Sequence, residues 1–235
     1  MKKLFLYIPL ICTVFFMVNC TNINDVHEMY LVNGETIYIP KVDSVDAFSG
    51  DERVLLRLYT KNPMISTFAI FWDQKNDSLI VPVENRISPD YFDVMIGKNS
   101  KILTEKSYVF NFFSRDNKGH RSIKYEKIAE VYGNRYQSAL QNHYYKTAVF
   151  NAVTSTLTVT WFPTIDNSEI AVEFNYLDKL TGLTVFKIVD VKNLGTPTQL
   201  ANIASGTSAT YRTLFLPTPT AIDTFYTDFQ AVVLK

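Results

Sequence analysis

An all-β chain of two tandem antiparallel sandwiches is what this sequence predicts, and three observations carry the prediction. Aromatic residues make up 14% of the 235 residues, with 17 Phe and 14 Tyr, and aromatic and β-branched side chains fit pleated, half-buried strands better than helices. Apolar residues then alternate with polar ones over short runs bounded by turn residues, the period of strands with one buried face. Finally, the pattern restarts after about a hundred residues, as expected of a repeated unit. One larger β domain is the alternative, since single all-β domains of this length occur.

The first twenty residues stand apart from that pattern. Met1-Lys2-Lys3 is a short basic start, and residues 4–18 are almost unbroken apolar sequence. Such a run is short for a membrane span, which needs about twenty residues, and has the charged-then-apolar order of a secretory signal. Cys20 follows directly, and then the polar Thr21-Asn22-Ile23-Asn24-Asp25. The chain has two cysteines, and Cys12 lies inside the apolar run. An exported chain would therefore keep a single cysteine, which calls for an explanation other than an internal disulfide. This order of segments resembles a bacterial lipoprotein signal, although Asn19 stands where such signals usually carry Gly, Ala or Ser. The resemblance implies removal of residues 1–19, a lipid on Cys20, and the membrane as a partner through that anchor. An ordinary cleaved signal with an incidental Cys20 is the other reading.

Composition narrows the partners. Lys plus Arg and Asp plus Glu are equal at 23 each, so no net field draws the chain to nucleic acid. The basic residues are scattered and form no stripe along which a phosphate backbone could run. Disorder is excluded by the amount of apolar surface available for burial.

In chain order, residues 20–38 read as a polar tether and residues 39–131 as the first sandwich. Strands are expected at 42–48 and at 53–59, where Val54, Leu56 and Leu58 share a face. A third holds Phe68, Ile70 and Trp72, followed by the polar turn 73–77. Residues 79–83 and 91–96 come next, then the alternating Tyr108, Phe110 and Phe112, the turn Asp116-Asn117-Lys118-Gly119, and a return at 122–128. Seven short strands with turns between them are the mark of an immunoglobulin-like sandwich. Residues 132–146 lack a period of two and read as a short helical turn or rigid linker. The second sandwich, 147–235, repeats the first: Leu157, Val159 and Trp161 correspond to Val54, Leu56 and Leu58, and Ile170, Val172, Phe174 and Tyr176 to the third strand. Further strands are expected at 183–189, 210–215 and 225–233.

Residues 103–122, with Tyr108-Val109-Phe110-Asn111-Phe112 and the turn after it, resemble the last hairpin of a fibronectin type III domain. The resemblance implies that Tyr108 closes a corner by hydrogen-bonding back to the preceding loop. It also makes Trp161 a core tryptophan on the second strand of its repeat. The second repeat departs at the corner, where Ala209 replaces the tyrosine. Three more stretches, Pro40-Lys41-Val42-Asp43-Ser44-Val45, residues 131–140 and residues 211–227, together resemble a family of Bacteroidetes lipoproteins with fibronectin-like repeats and uncharacterised function. That resemblance implies a cell-envelope location at the outer membrane, and no activity.

No catalytic signature emerges. His27, His120 and His143 are far apart in sequence, match no zinc spacing, and are expected to be solvated. Asp116-Asn117-Lys118-Gly119 lacks the alternating oxygen ligands of a calcium loop. Gly206-Thr207-Ser208 has no second glycine and forms no nucleophile elbow, and there is no glycine-rich phosphate cradle. A glycosidase needs two carboxylates facing across a cleft, and nothing in the order of Asp166, Glu169, Asp223 and Asp228 nominates a pair. Neither catalytic residues, nor a metal, nor a cofactor is therefore expected. Trp72 and Trp161 have apolar neighbours two residues away and are expected in the core. Tyr132, Tyr136, Tyr144 and Tyr145 are the candidate ligand-binding residues, because clefts at domain junctions form ligand sites. The expected function is a non-catalytic binding or scaffold module for a surface glycan or an envelope protein. A glycan-active hydrolase is the alternative.

Overall fold

The computed structural model describes residues 37–83, 90–98 and 101–233. The apolar N-terminal run, Cys20, His27 and most of the expected tether lie outside them. Residues 39–235 form one compact unit.

Its first half contains β1 (Ser44–Ser49), β2 (Arg53–Tyr59), β3 (Thr67–Trp72), β4 (Asp77–Pro82), β5 (Tyr91–Gly97), β6 (Ser107–Arg115) and β7 (Tyr125–Glu130). They make a three-stranded sheet, β1-β2-β5, and a four-stranded sheet, β4-β3-β6-β7, in which every pairing is antiparallel. The second half contains β8 (Tyr145–Asn151), β9 (Thr156–Trp161), β10 (Glu169–Leu177), β11 (Thr184–Asp190), β12 (Thr198–Leu200), β13 (Thr210–Phe215), β14 (Phe225–Tyr226) and β15 (Gln230–Ala231). Here β8-β9-β12 form one sheet and β11-β10-β13-β14 the other, with β15 also pairing β13. Strand for strand, the pairing order of the first half recurs in the second. The chain is two tandem antiparallel sandwiches of the fibronectin type III kind.

The alternation predicts the burial. Val54, Leu56 and Leu58 of β2 are buried against Phe68, Ile70, Phe110 and Phe112 in one core. Leu157, Val159 and Trp161 of β9 are buried with Val172, Phe174 and Tyr211 in another. Burying each large apolar side chain contributes about 1.5–3 kcal/mol. Tyr108 closes its corner as expected, its hydroxyl lying 3.0 Å from Thr104 Oγ1 in the preceding loop. In the second repeat the corner is not closed in this way: Tyr211, the second residue of β13, donates its hydroxyl to the His143 carbonyl at 3.2 Å, ahead of β8 instead of in the loop before its own strand. Trp161 Nε1 donates to Thr198 Oγ1 at 2.9 Å. Trp72 is also buried, but its indole N–H has no acceptor among the described residues.

Three local departures from the sequence pattern have physical causes. The strand expected over 225–233 is two short pieces, β14 and β15, each paired to a different end of β13. Ile170 is extra in the β10–β13 ladder, where Glu169 pairs Phe215 and Ala171 pairs Leu214, so the alternation breaks there as a β-bulge. The turn after Trp72 is left-handed at three successive residues, with φ of 49° at Asp73, 56° at Gln74 and 70° at Lys75. Ion pairs from Lys106 to Asp73 and from Lys101 to Asp77 brace its two ends.

Left-handed backbone costs an L-residue about 1–2 kcal/mol, and Gln74 is exposed. Gln74→Gly should relieve that cost at the expense of unfolded-state entropy, for a net gain of about 0.5–1 kcal/mol in urea denaturation. A loss of stability in that variant would mean the turn is not left-handed in solution.

Candidate functional site

The two sandwiches meet through a short helix and a loop. Helix α1 (Asn134–Ala139) follows Gly133 and has no side-chain cap of its own. Glu105, from the first sandwich, supplies one: its Oε2 accepts from the amides of Arg135 at 2.9 Å and Tyr136 at 3.1 Å, where a helix start has unpaired N–H groups and favours negative charge. Just before the helix, Tyr132 exchanges backbone hydrogen bonds with Gly50 and Glu52.

From the other side, the loop at 216–224 after β13 reaches back to the first sandwich. The Ile222 amide donates to the Ser49 carbonyl at 2.8 Å. Asp223 Oδ2 accepts from the Asp51 amide and from Arg53 Nε, both at 2.8 Å, and its Oδ1 meets the Arg53 guanidinium as well. Burial works against the charged form of Asp223, but these bonds outweigh it and hold its carboxyl below the ordinary range. Gly50 has no side chain because there is no room for one: a Cβ there would lie 2.5 Å from Asp223 Oδ2 and 2.8 Å from Ile222.

Beyond the helix, the chain enters the second core at His143. This residue is buried, not solvated as the sequence suggested, because a bulge turns its partner inward. Val172, Phe174 and Tyr176 of β10 face the core, and an unbroken pleat would put Glu169 on the outer face. The extra residue Ile170 reverses that, and Glu169 Oε2 lies 2.7 Å from His143 Nδ1. His143 Nε2 lies 3.0 Å from the Phe162 carbonyl, and its amide donates to Thr213 Oγ1 at 2.7 Å. Both ring nitrogens thus face acceptors, and only the imidazolium has two N–H groups to give. The bond to Glu169 raises the pKa of His143, and burial opposes it with less effect. Asn142 is fixed too, its Oδ1 accepting from Thr227 Oγ1 at 2.6 Å and its Nδ2 donating to the Asp228 carbonyl at 3.1 Å.

Above this floor lies an open groove of about 1200 Å³, walled by residues 139–145 on one side and by the loop at 162–167 on the other. Tyr144, Phe162 and Ile165 stand exposed on it. Gln141, Asn142 and Asn167 add amides. Tyr144 donates its hydroxyl to Gln141 Oε1 at 2.9 Å. Asp166 and Glu169 are the acids of the lining; Asp166 Oδ1 accepts from the amide and hydroxyl of Ser168 at 2.8 and 2.7 Å.

The four tyrosines singled out from sequence do not converge on one site. Tyr144 and Tyr145 line the groove. The Tyr145 ring packs on Trp161 and Tyr211, with centroids 6.3 and 5.7 Å away, and its hydroxyl meets the backbone of Val233. Tyr132 and Tyr136 belong to the junction, 4.9 Å from each other and 6.2 and 5.1 Å from Phe225. Sequence reasoning missed Phe162 and the His143 and Glu169 pair. An aromatic just past the end of a buried strand could have pointed to Phe162; the pair depends on a bulge that leaves no mark in the sequence. His120 is a turn residue, its Nδ1 lying 2.7 Å from Asp116 Oδ2. Among the described residues no three His, Cys, Asp or Glu side chains are placed to hold a metal, and no helix is long and apolar enough to cross a membrane.

Fold and junction together define a tandem of fibronectin type III-like sandwiches with a grooved second repeat. The chain belongs to the DUF4998 family, described as a domain of unknown function, whose family model matches residues 20–225. Among solved structures it is similar to the two fibronectin type-III domain segment from chicken tenascin, at 13% identity over 83% of this chain and 99% of that one, with a TM-score of 0.32. It is also similar to the FN1–FN3 domains of chicken CNTN1, at 10% identity over 84% of this chain and 66% of that one, with a TM-score of 0.43. No curated protein matches it. The fold assignment rests on the strand order and registers described above.

Proposed function

We propose that this protein is a lipid-anchored component of the cell envelope, at the outer membrane, that acts as a non-catalytic binding module. The observation that carries the binding reading is the groove: open, rimmed by exposed aromatic and aliphatic side chains, and built on a floor whose polar groups are held by internal bonds. Ligand sites commonly combine such apolar walls with a few fixed polar groups. The anchor reading is supported by the order of segments ending at Cys20, and the family match begins at that residue. The division into a first sandwich at 39–131, a linker at 132–146 and a second sandwich at 147–235 is part of the proposal. The placement of His143 and Tyr145 means that a second repeat carrying its whole core begins a few residues earlier, near Asn142.

If Cys20 carries the lipid, Cys20→Ala will leave the protein soluble or unprocessed and abolish incorporation of a fatty-acid analogue. Several acyl chains hold firmly where one does not, at about 0.8 kcal/mol per buried methylene. Unchanged membrane retention and labelling in that variant would sink the anchor.

A second reading has one observation in its favour: Asp166 and Glu169 line the same groove, as the two carboxylates of a glycan hydrolase do. Their bonds favour binding instead, since Glu169 is committed to His143 and Asp166 to its own turn. Release of reducing ends from a polysaccharide by the purified full chain, abolished in Glu169→Gln, would establish the hydrolase.

A further inference from the structure

We propose that the groove takes a neutral glycan chain; this rests on the reading of the groove as a binding site and names its ligand. Three features of the lining choose the class. First, charge: the groove contains two acids and, among the described residues, no lysine or arginine. Lys146, next in sequence to the lining, is held 5.5 Å over the Phe162 ring. An anionic ligand such as a phosphate, a uronate or a sulfated sugar would meet Asp166, while the one cation of the lining, the His143 imidazolium, is already given to Glu169 and the Phe162 carbonyl, and like charges brought together out of water repel.

Second, the backbone is already used. An extended peptide binds a β-protein mainly by adding its own main-chain hydrogen bonds to free ones. Here the Tyr144 carbonyl accepts from the Phe162 amide at 3.1 Å, and the Asp166 carbonyl from the Glu169 amide at 3.2 Å. The His143 amide and carbonyl and the Phe162 carbonyl are likewise bonded. These groups offer a peptide little to pair with.

Third, what remains on offer suits a sugar. A pyranose has faces of C–H groups and a rim of hydroxyls. Aromatic rings have a negative face that attracts polarised C–H groups, and Tyr144 and Phe162 are both half or more exposed, at 64% and 50%. The side chains of Gln141 and Asn167 can each donate and accept, as hydroxyls require. At about 1200 Å³, the groove exceeds the roughly 300–1,000 Å³ of a small-molecule pocket and suits several linked units.

The test is a panel of neutral hexasaccharides from glucans, mannan, xylan and galactan, set beside oligogalacturonate and heparin fragments, with binding followed by calorimetry on the full chain. We expect at least one neutral member to bind and the acidic ones not to. Tyr144→Ala and Phe162→Ala should each weaken binding about tenfold, as losing one well-placed ring contact of about 1.4 kcal/mol does. Tyr144→Phe should retain binding, because it keeps the ring. All three variants should melt as the parent does, their side chains being exposed. Stronger binding to the acidic fragments, or no binding to any neutral one, overturns the proposal. A peptide or protein whose binding depends on Tyr144 and Phe162, with no glycan bound, would overturn the glycan and leave the groove a binding site. A ligand whose binding ignored both residues would overturn the groove itself.

Discussion

Trp161→Ala will cost about 3–5 kcal/mol of stability, the usual range for emptying a large aromatic from a core. Trp161 is buried where four other rings meet, with centroids of His143, Phe174, Tyr211 and Tyr145 at 5.6, 5.8, 6.0 and 6.3 Å. Its removal leaves a cavity and strips Thr198 Oγ1 of its buried donor. A domain has about 5–15 kcal/mol in all, so the second repeat should be partly unfolded at 37 °C. Urea denaturation followed by circular dichroism measures the loss. A cost below about 1 kcal/mol would mean that the indole is not in the core and that the inward face of β9 has been misassigned. The groove should suffer as well, because the His143 ring that forms its floor packs against this indole.

Stability will also fall as the solution is made alkaline, and His143 is the cause. The folded state favours its protonated form, so its pKa is raised above the unfolded value near 6.5. A group shifted in that direction contributes in full below the unfolded value, and the contribution is lost as pH rises through the folded one. Between the two values the slope is about 1.4 kcal/mol per pH unit. Above the folded value, one ring nitrogen loses its proton and faces an acceptor with nothing to donate. A buried polar group left unpaired costs about 1–3 kcal/mol. Melting temperatures from pH 5.5 to pH 9 should therefore decline for the parent and stay flatter for His143→Gln, from a lower start. A parent whose melting temperature held or rose over that interval would show that His143 is neutral in the folded protein.

Much of the fold was legible because its cores are built from plain alternation. Val54, Leu56 and Leu58 and their counterparts Leu157, Val159 and Trp161 could be read off the sequence because one face of each strand is buried throughout. The strands that escaped notice are those without that contrast. β12 has three residues, too few to show a period. Most of β8 is exposed or half-exposed, with Ala148 as its only fully buried residue, so burial left little pattern to find.

The candidate site was less legible, for a different reason. Glu169 reaches His143 only because Ile170 is an extra residue in the β10–β13 ladder, and bulges re-aim side chains without a compositional signature. The tyrosines between 132 and 145 marked the right segment, but residue type alone could not divide them. Tyr132 and Tyr136 pack on Phe225, about ninety residues further along the chain, and sequence proximity to Tyr144 says nothing of that contact.

The chain contains two tryptophans, and the fold has put one in each core, Trp72 in the first and Trp161 in the second. Each sandwich therefore has its own built-in optical probe. The two differ in kind: Trp161 donates to Thr198, whereas the Trp72 indole lacks a described acceptor, so their emission need not coincide. A phenylalanine at either position leaves a single emitter that reports on one core alone. The difference between the midpoints at which the two emitters respond to denaturant then measures how strongly the contacts of Arg53, Asp223 and Tyr132 make the halves unfold as one. The coupling energy of the junction becomes a quantity read from light.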